Sequence, residues 1–249
     1  MAYKSFFNWS GGKDSSLALY HALKDSRYNI KKLLTNVNNQ YRRVSMHGVR
    51  EALLEDQAAA IGIPLQKCIL PDQPSMVEYE EHLMQMMHQL HEEEFTHSIF
   101  GDIFLEDLKI YREKQLAKVN MTAVFPLWKR DTTELMHEFL DLGFKTIVVC
   151  IKAELLDKSF AGRIIDKEFL KDLPPNVDPC GENGEFHTFV FDGPIFKNPI
   201  AFEIGEKVFR EYTAPTNSTD MCFTNQPSTP TSMGFWFCDL LPAQNGIAS

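Results

Sequence analysis

FFNWSGGKDSSLAL, residues 6–19, contains the strongest structural signal in the sequence. Its aromatic start predicts a buried strand over 4–9, and its end predicts a helix over 15–25. Two glycines between them let the backbone turn tightly and approach a ligand closely. The N–H groups at the start of the helix are free to bind an anion. The stretch therefore predicts a phosphate-binding loop between a buried strand and a helix.

The side chains of this loop suit a multiply charged phosphate group, such as the pyrophosphate part of ATP. The nucleotide-binding residues expected in the loop are Ser10, Gly11, Gly12, Lys13, Asp14 and Ser15. The serine hydroxyls donate hydrogen bonds, and the lysine adds a positive charge. Phosphate would repel the carboxylate of Asp14 unless a cation lay between them, so Asp14 predicts a magnesium ion. The pattern differs from the Walker A loop, which requires G-x-x-x-x-G-K-[ST].

The strand and helix patterns alternate up to about residue 151, which predicts an α/β fold with a doubly wound parallel sheet. The expected strands after the first are 30–37, 65–70, 96–100, 122–125 and 145–151. Ligands of such a sheet bind beyond the carboxyl ends of its strands. Asn36, Gly101 and Asp102 lie at or just beyond two of these ends, so they are expected beside the loop.

The pattern changes in the last hundred residues. Prolines and glycines interrupt short strands there and helices become rare, which predicts a smaller mixed C-terminal subdomain. We therefore divide the chain into an ATP-binding domain over 1–152 and a substrate-binding subdomain over 153–249. Residues 213–232 are expected to form a loop, 235–237 a final strand, and 244–249 a frayed tail.

The composition excludes several classes of protein. The 249 residues carry a net charge of −9, which argues against sequence-independent binding of nucleic acid. The five cysteines are scattered without C-x-x-C spacing, which fits a reducing compartment and gives no zinc signature. No secretion signal and no membrane-spanning apolar run is present in the sequence, so we expect a cytoplasmic protein without membrane contact.

The loop resembles the S-G-G-x-D-S loop of the PP-loop ATP-pyrophosphatases, whose fold is adenine nucleotide alpha hydrolase-like. Five later segments indicate which family within this group the chain resembles. They are SMHG at 45–48, FGDI at 100–103, FPLW at 125–128, FAGRIID at 160–166 and DPCGENGEFHT at 178–188. In this order they resemble the diphthine–ammonia ligase family, from about residue 3 to about residue 196.

This resemblance implies an ATP-dependent carboxylate–ammonia (or amine) ligase. A carboxylate of a small molecule or protein would attack the α-phosphate of ATP, giving an acyl-adenylate and pyrophosphate. Ammonia or an amine would then displace AMP and leave an amide. ATP and magnesium are the implied cofactors, and a homodimer is left open.

The resemblance also implies roles for residues outside the loop. Met46 and His47 would line the adenosine side of the site, with simple packing as the alternative. Asp102 would contact a second magnesium ion or the ribose, with helix capping as the alternative. The catalytic residues expected are Asp14, Glu182, Glu185 and His187. Glu185 and His187 have the same parity in a strand, so we expect both on the acceptor side of the site, with a surface hairpin as the alternative.

The chain departs from the family pattern within residues 178–188, which we call the acceptor segment. Members that act on diphthine carry a pattern close to E-G-G-E-[FY]-E-[ST], whereas this chain has Asn183 and His187 at the second and sixth positions. The form E-N-G-E-F-H-T is similar to a bacterial branch linked with corrinoid (cobamide) salvage, which is one alternative. A PP-loop enzyme that modifies tRNA is another, and a non-catalytic nucleotide sensor is the third.

Overall fold

The strand that leads into the loop lies inside the first of two sheets. The computed structural model describes residues 2–44, 48–71, 75–213 and 232–243. The strands of this sheet are β1 (Tyr3–Asn8), β2 (Tyr28–Asn38), β3 (Arg43–Val44), β4 (Leu65–Leu70), β5 (His97–Ile99) and β6 (Thr122–Val124). β1 pairs with β2 and β5, β2 with β4, and β5 with β6, all in parallel. The short β3 is antiparallel to the end of β2.

The predicted doubly wound α/β fold is confirmed by this sheet. The chain moves from β1 to β2 and β4 on one side, and then returns to β5 and β6 on the other. The strand order therefore reverses at β1, and the carboxyl ends of β1 and β5 flank the switch point where ligands of such sheets bind. The loop over 10–15 begins at that point.

The helices of the described residues include the one predicted over 15–25. They are α1 (Lys13–Lys24), α2 (Glu51–Ile61), α3 (Met76–Glu92), α4 (Glu106–Ala117), α5 (Thr132–Asp141) and α6 (Lys167–Asp172). Gly62 follows α2 with a φ of 82°, a left-handed position that glycine adopts without strain. The side chain of Asp131 caps α5 by accepting a hydrogen bond from Glu134 N.

The second sheet corrects one prediction about strand pairing. Its strands are β7 (Lys145–Lys152), β8 (Phe186–Asp192), β9 (Phe202–Thr213) and β10 (Ser232–Pro242). They pair antiparallel in the order β8-β7-β10-β9. The strand over 145–151 was expected to be the last parallel strand, and that expectation is wrong. A buried β-branched run is compatible with either arrangement, so only its partners decide the sheet to which it belongs.

The C-terminal part contains other predicted features. The predicted strand over 235–237 is confirmed as part of β10. Residues 214–231 of the predicted loop and the predicted tail over 244–249 lie outside the described residues. The division of the chain after residue 152 stays a prediction.

Asp239 on β10 connects the two sheets through ion pairs. Its carboxylate accepts hydrogen bonds from Arg43 Nη1 at 2.8 Å and from Arg50 Nη2 at 2.7 Å, next to β3 and α2. Partial burial raises the pKa of Asp239, but the hydrogen bonds from the two arginines outweigh it and lower the pKa to about 2. The ionised carboxylate therefore stabilises the contact between the sheets.

We predict that Asp239→Asn lowers the free energy of unfolding at pH 7 by about 1 to 2 kcal/mol. Because the pKa of Asp239 is lower in the folded chain, its contribution is present above the pKa of an unfolded aspartate and is lost as the pH falls toward 2. Urea unfolding of wild type and variant at pH 7 and pH 3 measures the difference, which should shrink at the lower pH. Asp172→Asn, which removes one exposed ion pair with Arg163, is the matched control and should change stability little. An equal loss in both variants would contradict the prediction.

Candidate active site

The predicted phosphate loop forms a cradle at the start of α1. Gly11 has a φ of 78°, which favours glycine, and Gly12 is the N-cap residue of the helix. Ser15 Oγ donates to Gly12 O at 2.9 Å, and Ser10 Oγ donates to Ser15 Oγ at 3.1 Å. Gly12 N donates to Ser10 Oγ over a longer distance of 3.3 Å. The two hydroxyls therefore line the turn in which Gly12 N–H is held.

β8 of the second sheet attaches directly to this loop. Val190 N donates to Gly11 O at 2.9 Å, and Lys13 N donates to Thr188 Oγ1 at 3.0 Å. Thr188 is buried with 2 % of its surface exposed, so water does not compete for its bond. The two bonds fix the loop from the side of the C-terminal part of the chain. The sequence pattern gave no signal for Thr188 as a loop contact.

An ion pair between a buried lysine and a half-buried aspartate lies at the start of α1. Lys13 Nζ contacts both carboxylate oxygens of Asp14, at 2.9 and 2.7 Å, and lies 5.4 Å from the centre of the Phe186 ring. Burial lowers the pKa of Lys13, but the charge of Asp14 and other neighbours raises it overall, so the ammonium stays charged. The Asp14 side chain is 30 % exposed. The carboxylate is thus open on one side while the ammonium holds it on the other.

Glu182 brings the acceptor segment to the ends of the parallel strands. Its Oε1 accepts a hydrogen bond from Ile103 N at 2.8 Å, just beyond β5. Burial raises the pKa of Glu182 to about 8, and the negative charge of Asp14 contributes to the rise. A buried carboxyl group with a pKa near neutral pH can exchange a proton during a reaction. Glu182 therefore lies near Asp14 and Lys13, whose charges act on its pKa. The catalytic role of Glu182 stays a prediction.

Glu185 organises the acceptor segment from inside. It is buried, and its carboxylate accepts hydrogen bonds from Asp178 N at 3.1 Å and Asn183 N at 2.9 Å. The side-chain amide of Asn183 adds a third bond at 3.1 Å. These bonds shape the turn that carries Glu182. In the structure Glu185 stabilises this turn. Its predicted contact with an acceptor stays a prediction.

His187 lies on β8, where successive side chains alternate between the two faces of the sheet. Thr188, its neighbour in the strand, points to the nucleotide loop, so His187 has the opposite parity. Phe186 is buried. The part of His187 in catalysis stays a prediction.

Asp102 forms an ion pair with a residue that the sequence did not indicate. Arg112 on α4 donates from Nη2 to Asp102 Oδ1 at 3.1 Å, and its guanidinium lies 4.4 Å from the centre of the Phe100 ring. The N-cap position of α4 is Leu105, so capping of this helix by Asp102 is wrong. The predicted contact of Asp102 with ribose or magnesium stays a prediction.

The other expected nucleotide contacts fall in three places. Asn36 is half-buried on β2, in the part that extends past the end of β1 and pairs with β4. Gly101 lies against the first turn of α1, where an added Cβ would come within 2.9 Å of Ser15 N. Met46 and His47 lie outside the described residues.

The described residues limit the kinds of metal site. Across residues 2–44, 48–71, 75–213 and 232–243, no three His, Cys, Asp or Glu side chains are grouped to hold a metal ion. A magnesium ion bound to nucleotide phosphates needs only one or two carboxylates from the protein. The open side of Asp14 fits such an ion. None of the helices in the described ranges is long and apolar enough to cross a bilayer.

The reversal of strand order at β1 and the SGGKDS cradle beyond it define an α/β protein of the PP-loop type. Two family models match this chain. The diphthamide synthase N-terminal domain matches residues 3–122, and the diphthamide synthase C-terminal domain matches residues 131–216. The chain therefore belongs to the diphthine–ammonia ligase (diphthamide synthase) family, as the motifs predicted.

Relatives named diphthine–ammonia ligase agree with this assignment. The protein from Danio rerio is 28% identical over 166 residues, which cover 61% of this chain and 65% of the relative. The protein from Mus musculus is 28% identical over 140 residues, covering 54% of this chain and 52% of the relative. The protein from Saccharomyces cerevisiae is 24% identical over 229 residues, which cover 76% of this chain and 33% of the relative. The matches thus span between a third and two thirds of these relatives' lengths.

We predict that Gly101→Ala weakens ATP binding about tenfold or more, because the new methyl group meets the backbone of Asp14 and Ser15, which cannot rotate away. Calorimetric titration with ATP measures the change. Gly143→Ala is the control, since its left-handed backbone is strained by alanine but no atom lies within 4 Å of the added methyl. Both variants should lose stability, and only Gly101→Ala should lose affinity. Unchanged affinity in Gly101→Ala would show that Gly101 does not support the cradle.

We further predict that Glu182 releases its proton near pH 8 in the nucleotide-free protein, and that Asp14→Asn lowers this pKa by removing a neighbouring negative charge. Carboxyl ¹³C NMR of protein labelled at glutamate, without magnesium, follows the titration. The signal is assigned by its loss in Glu182→Gln. A Glu182 signal that titrates at the ordinary glutamate pKa would contradict the described burial.

Proposed function

We propose that the chain is an ATP-dependent amide ligase that forms AMP and pyrophosphate. The observation that carries the proposal is the contact of the acceptor segment with the nucleotide loop, where Glu182 is held beyond β5 beside the pair of Lys13 and Asp14. A carboxylate that reacts with ATP has to be held next to the α-phosphate, because proximity supplies much of the rate. Family membership supports the same reaction, since the matched relatives are named diphthine–ammonia ligase.

The first step needs neutralisation of two anions. The cradle around Gly12 would bind the pyrophosphate part of ATP through backbone N–H groups and the hydroxyls of Ser10 and Ser15. An oxygen of the acceptor carboxylate would attack the α-phosphorus, and the bond to the β-phosphate oxygen would break. A magnesium ion held by the nucleotide and by Asp14 would supply additional positive charge. The products of this step are an acyl-adenylate and pyrophosphate.

The second step forms the amide and needs a base. Ammonia would attack the acyl carbon, AMP would leave with the electron pair of the broken C–O bond, and the nitrogen would lose one proton. Glu182 in its carboxylate form would take that proton, and its raised pKa would make it a sufficiently strong base. Under this proposal residues 1–152 bind ATP and residues 153–249 bind the acceptor.

Two carboxylic acids are the candidate acceptors. Diphthine is favoured by the names of the relatives. A corrinoid acid is the second candidate, because Asn183 replaces a family glycine and its amide bonds to Glu185 inside the acceptor turn. That bond changes the surface which an acceptor would meet.

The test is to incubate the protein with ATP, magnesium and ammonium, together with a diphthine-containing protein, a corrinoid carboxylic acid or tRNA in separate reactions. We expect AMP and pyrophosphate in equal amounts, with the rate increased by one of the two carboxylate acceptors. Release of ADP and phosphate would rule out the mechanism. Stimulation by tRNA alone would favour the tRNA-modifying alternative, and binding of ATP without turnover in any reaction would favour a nucleotide sensor.

Variants of the acceptor segment separate the roles within this reaction. Glu182→Gln should lower acceptor-dependent release of AMP about a hundredfold, as expected for loss of a general base, and leave ATP affinity nearly unchanged. Glu185→Gln should weaken acceptor binding, because its amide cannot accept all three bonds of the turn. His187→Ala tests the remaining predicted residue. Wild-type rates in Glu182→Gln would exclude it as the base.

A further inference from the structure

Gln57, in the middle of α2, is a buried polar residue with three hydrogen bonds. Its side chain is fully buried. Trp9 Nε1 donates to Gln57 Oε1 at 2.9 Å. Gln57 Nε2 donates to Gly11 O at 3.0 Å and to Val190 O at 2.6 Å. The carboxamide thus connects α2, the nucleotide loop and β8.

The orientation of this carboxamide is fixed by chemistry. The indole of Trp9 can only donate a hydrogen bond, so the oxygen of Gln57 has to face it. The NH₂ group then faces the two carbonyl groups. Gly11 fits closely against this amide, since an added Cβ would lie 2.7 Å from Gln57 Oε1.

The bonds to Gly11 O determine the direction of the next N–H group. The peptide between Gly11 and Gly12 is planar and trans, so its carbonyl and its N–H point in opposite directions. Gln57 Nε2 and Val190 N both hold Gly11 O toward the interior. Gly12 N–H therefore points into the cradle, where its bond to Ser10 Oγ is a long 3.3 Å. A phosphate oxygen would be a stronger acceptor than this hydroxyl.

We propose that Gln57 is a positioning residue for pyrophosphate: it holds the peptide between Gly11 and Gly12 so that Gly12 N–H donates to a phosphate oxygen. This inference rests on the proposed function, because it assigns the cradle to the departing pyrophosphate. It goes beyond that function because Gln57 lies on α2, a helix that contains none of the sequence motifs, and yet determines the direction of Gly12 N–H. A donor fixed before the reaction needs no reorganisation as charge develops on the leaving group.

The first test is Gln57→Met, which keeps the length of the side chain and removes its hydrogen bonds. We expect the KM for ATP and the inhibition constant for pyrophosphate to rise about tenfold, while the KM for the acceptor stays unchanged. Gln115→Met is the matched control. Gln115 is also a buried glutamine in a helix, but it bonds to Glu80 and Lys118 instead of the loop. Equal effects of the two variants on the KM for ATP would overturn the proposal.

The second test is Gln57→Glu, which separates positioning from general destabilisation. A protonated glutamic acid can donate to a loop carbonyl and accept from Trp9, whereas its carboxylate can only accept. The KM for ATP should therefore approach the wild-type value at about pH 6 and rise with pH, at a temperature where melting curves show the variant folded. Gln57→Met should show no such dependence. A KM that is constant with pH in Gln57→Glu would overturn the proposal even if Gln57→Met fails to fold.

Hydrogen exchange separates this inference from the proposed function. In Gln57→Met the amide of Val190 should exchange faster than in wild type, because its acceptor Gly11 O loses the second bond that holds it. This readout does not depend on catalysis. If wild type releases no AMP, the proposed function fails, and the exchange of Val190 still reports whether Gln57 positions the peptide. Unchanged exchange in Gln57→Met would overturn the inference while leaving the proposed function intact.

Discussion

The attachment of β8 to the nucleotide loop is the constraint on which the rest of this structure depends. The bond from Val190 N to Gly11 O and the bond from Lys13 N to Thr188 Oγ1 join two sheets that pair their strands independently. Both bonds are buried, where an unpaired backbone group would be costly. The loop is therefore shaped by the C-terminal part of the chain as well as by β1 and α1.

This attachment brings the two halves of the proposed chemistry together. The segment before β8 contacts the backbone beyond β5 through Glu182, and its turn is held by the carboxylate of Glu185. Glu182 on that turn then lies half-buried near Lys13 and Asp14. Partial burial strengthens the electrostatic coupling among these groups, so a change in the charge of Asp14 changes the pKa of Glu182. Nucleotide binding and proton transfer would thus be linked through a few buried side chains.

Much of the fold was predictable because its signals are local. The turn residues and caps are set by neighbouring atoms, as Gly62 after α2 and the Asp131 cap of α5 show. Residue pairs far apart in the sequence have no such signal. Arg43 and Arg50 form ion pairs with Asp239 on β10, an element that they meet only after folding. The partners of β7 belong to the same class, which is why its assignment to the parallel sheet was wrong.

The sequence by itself determined the class of site, because a strand, two glycines and a helix start can form a phosphate cradle from residues next to one another. The order of the motifs also determined the family, which the matched domains confirm. Only the tertiary structure decided which side chains surround the cradle. Gln57 and Thr188 reach it from 46 and 175 residues away. Their contacts exist because α2 and β8 pack against the loop, and no local pattern of residues encodes that packing.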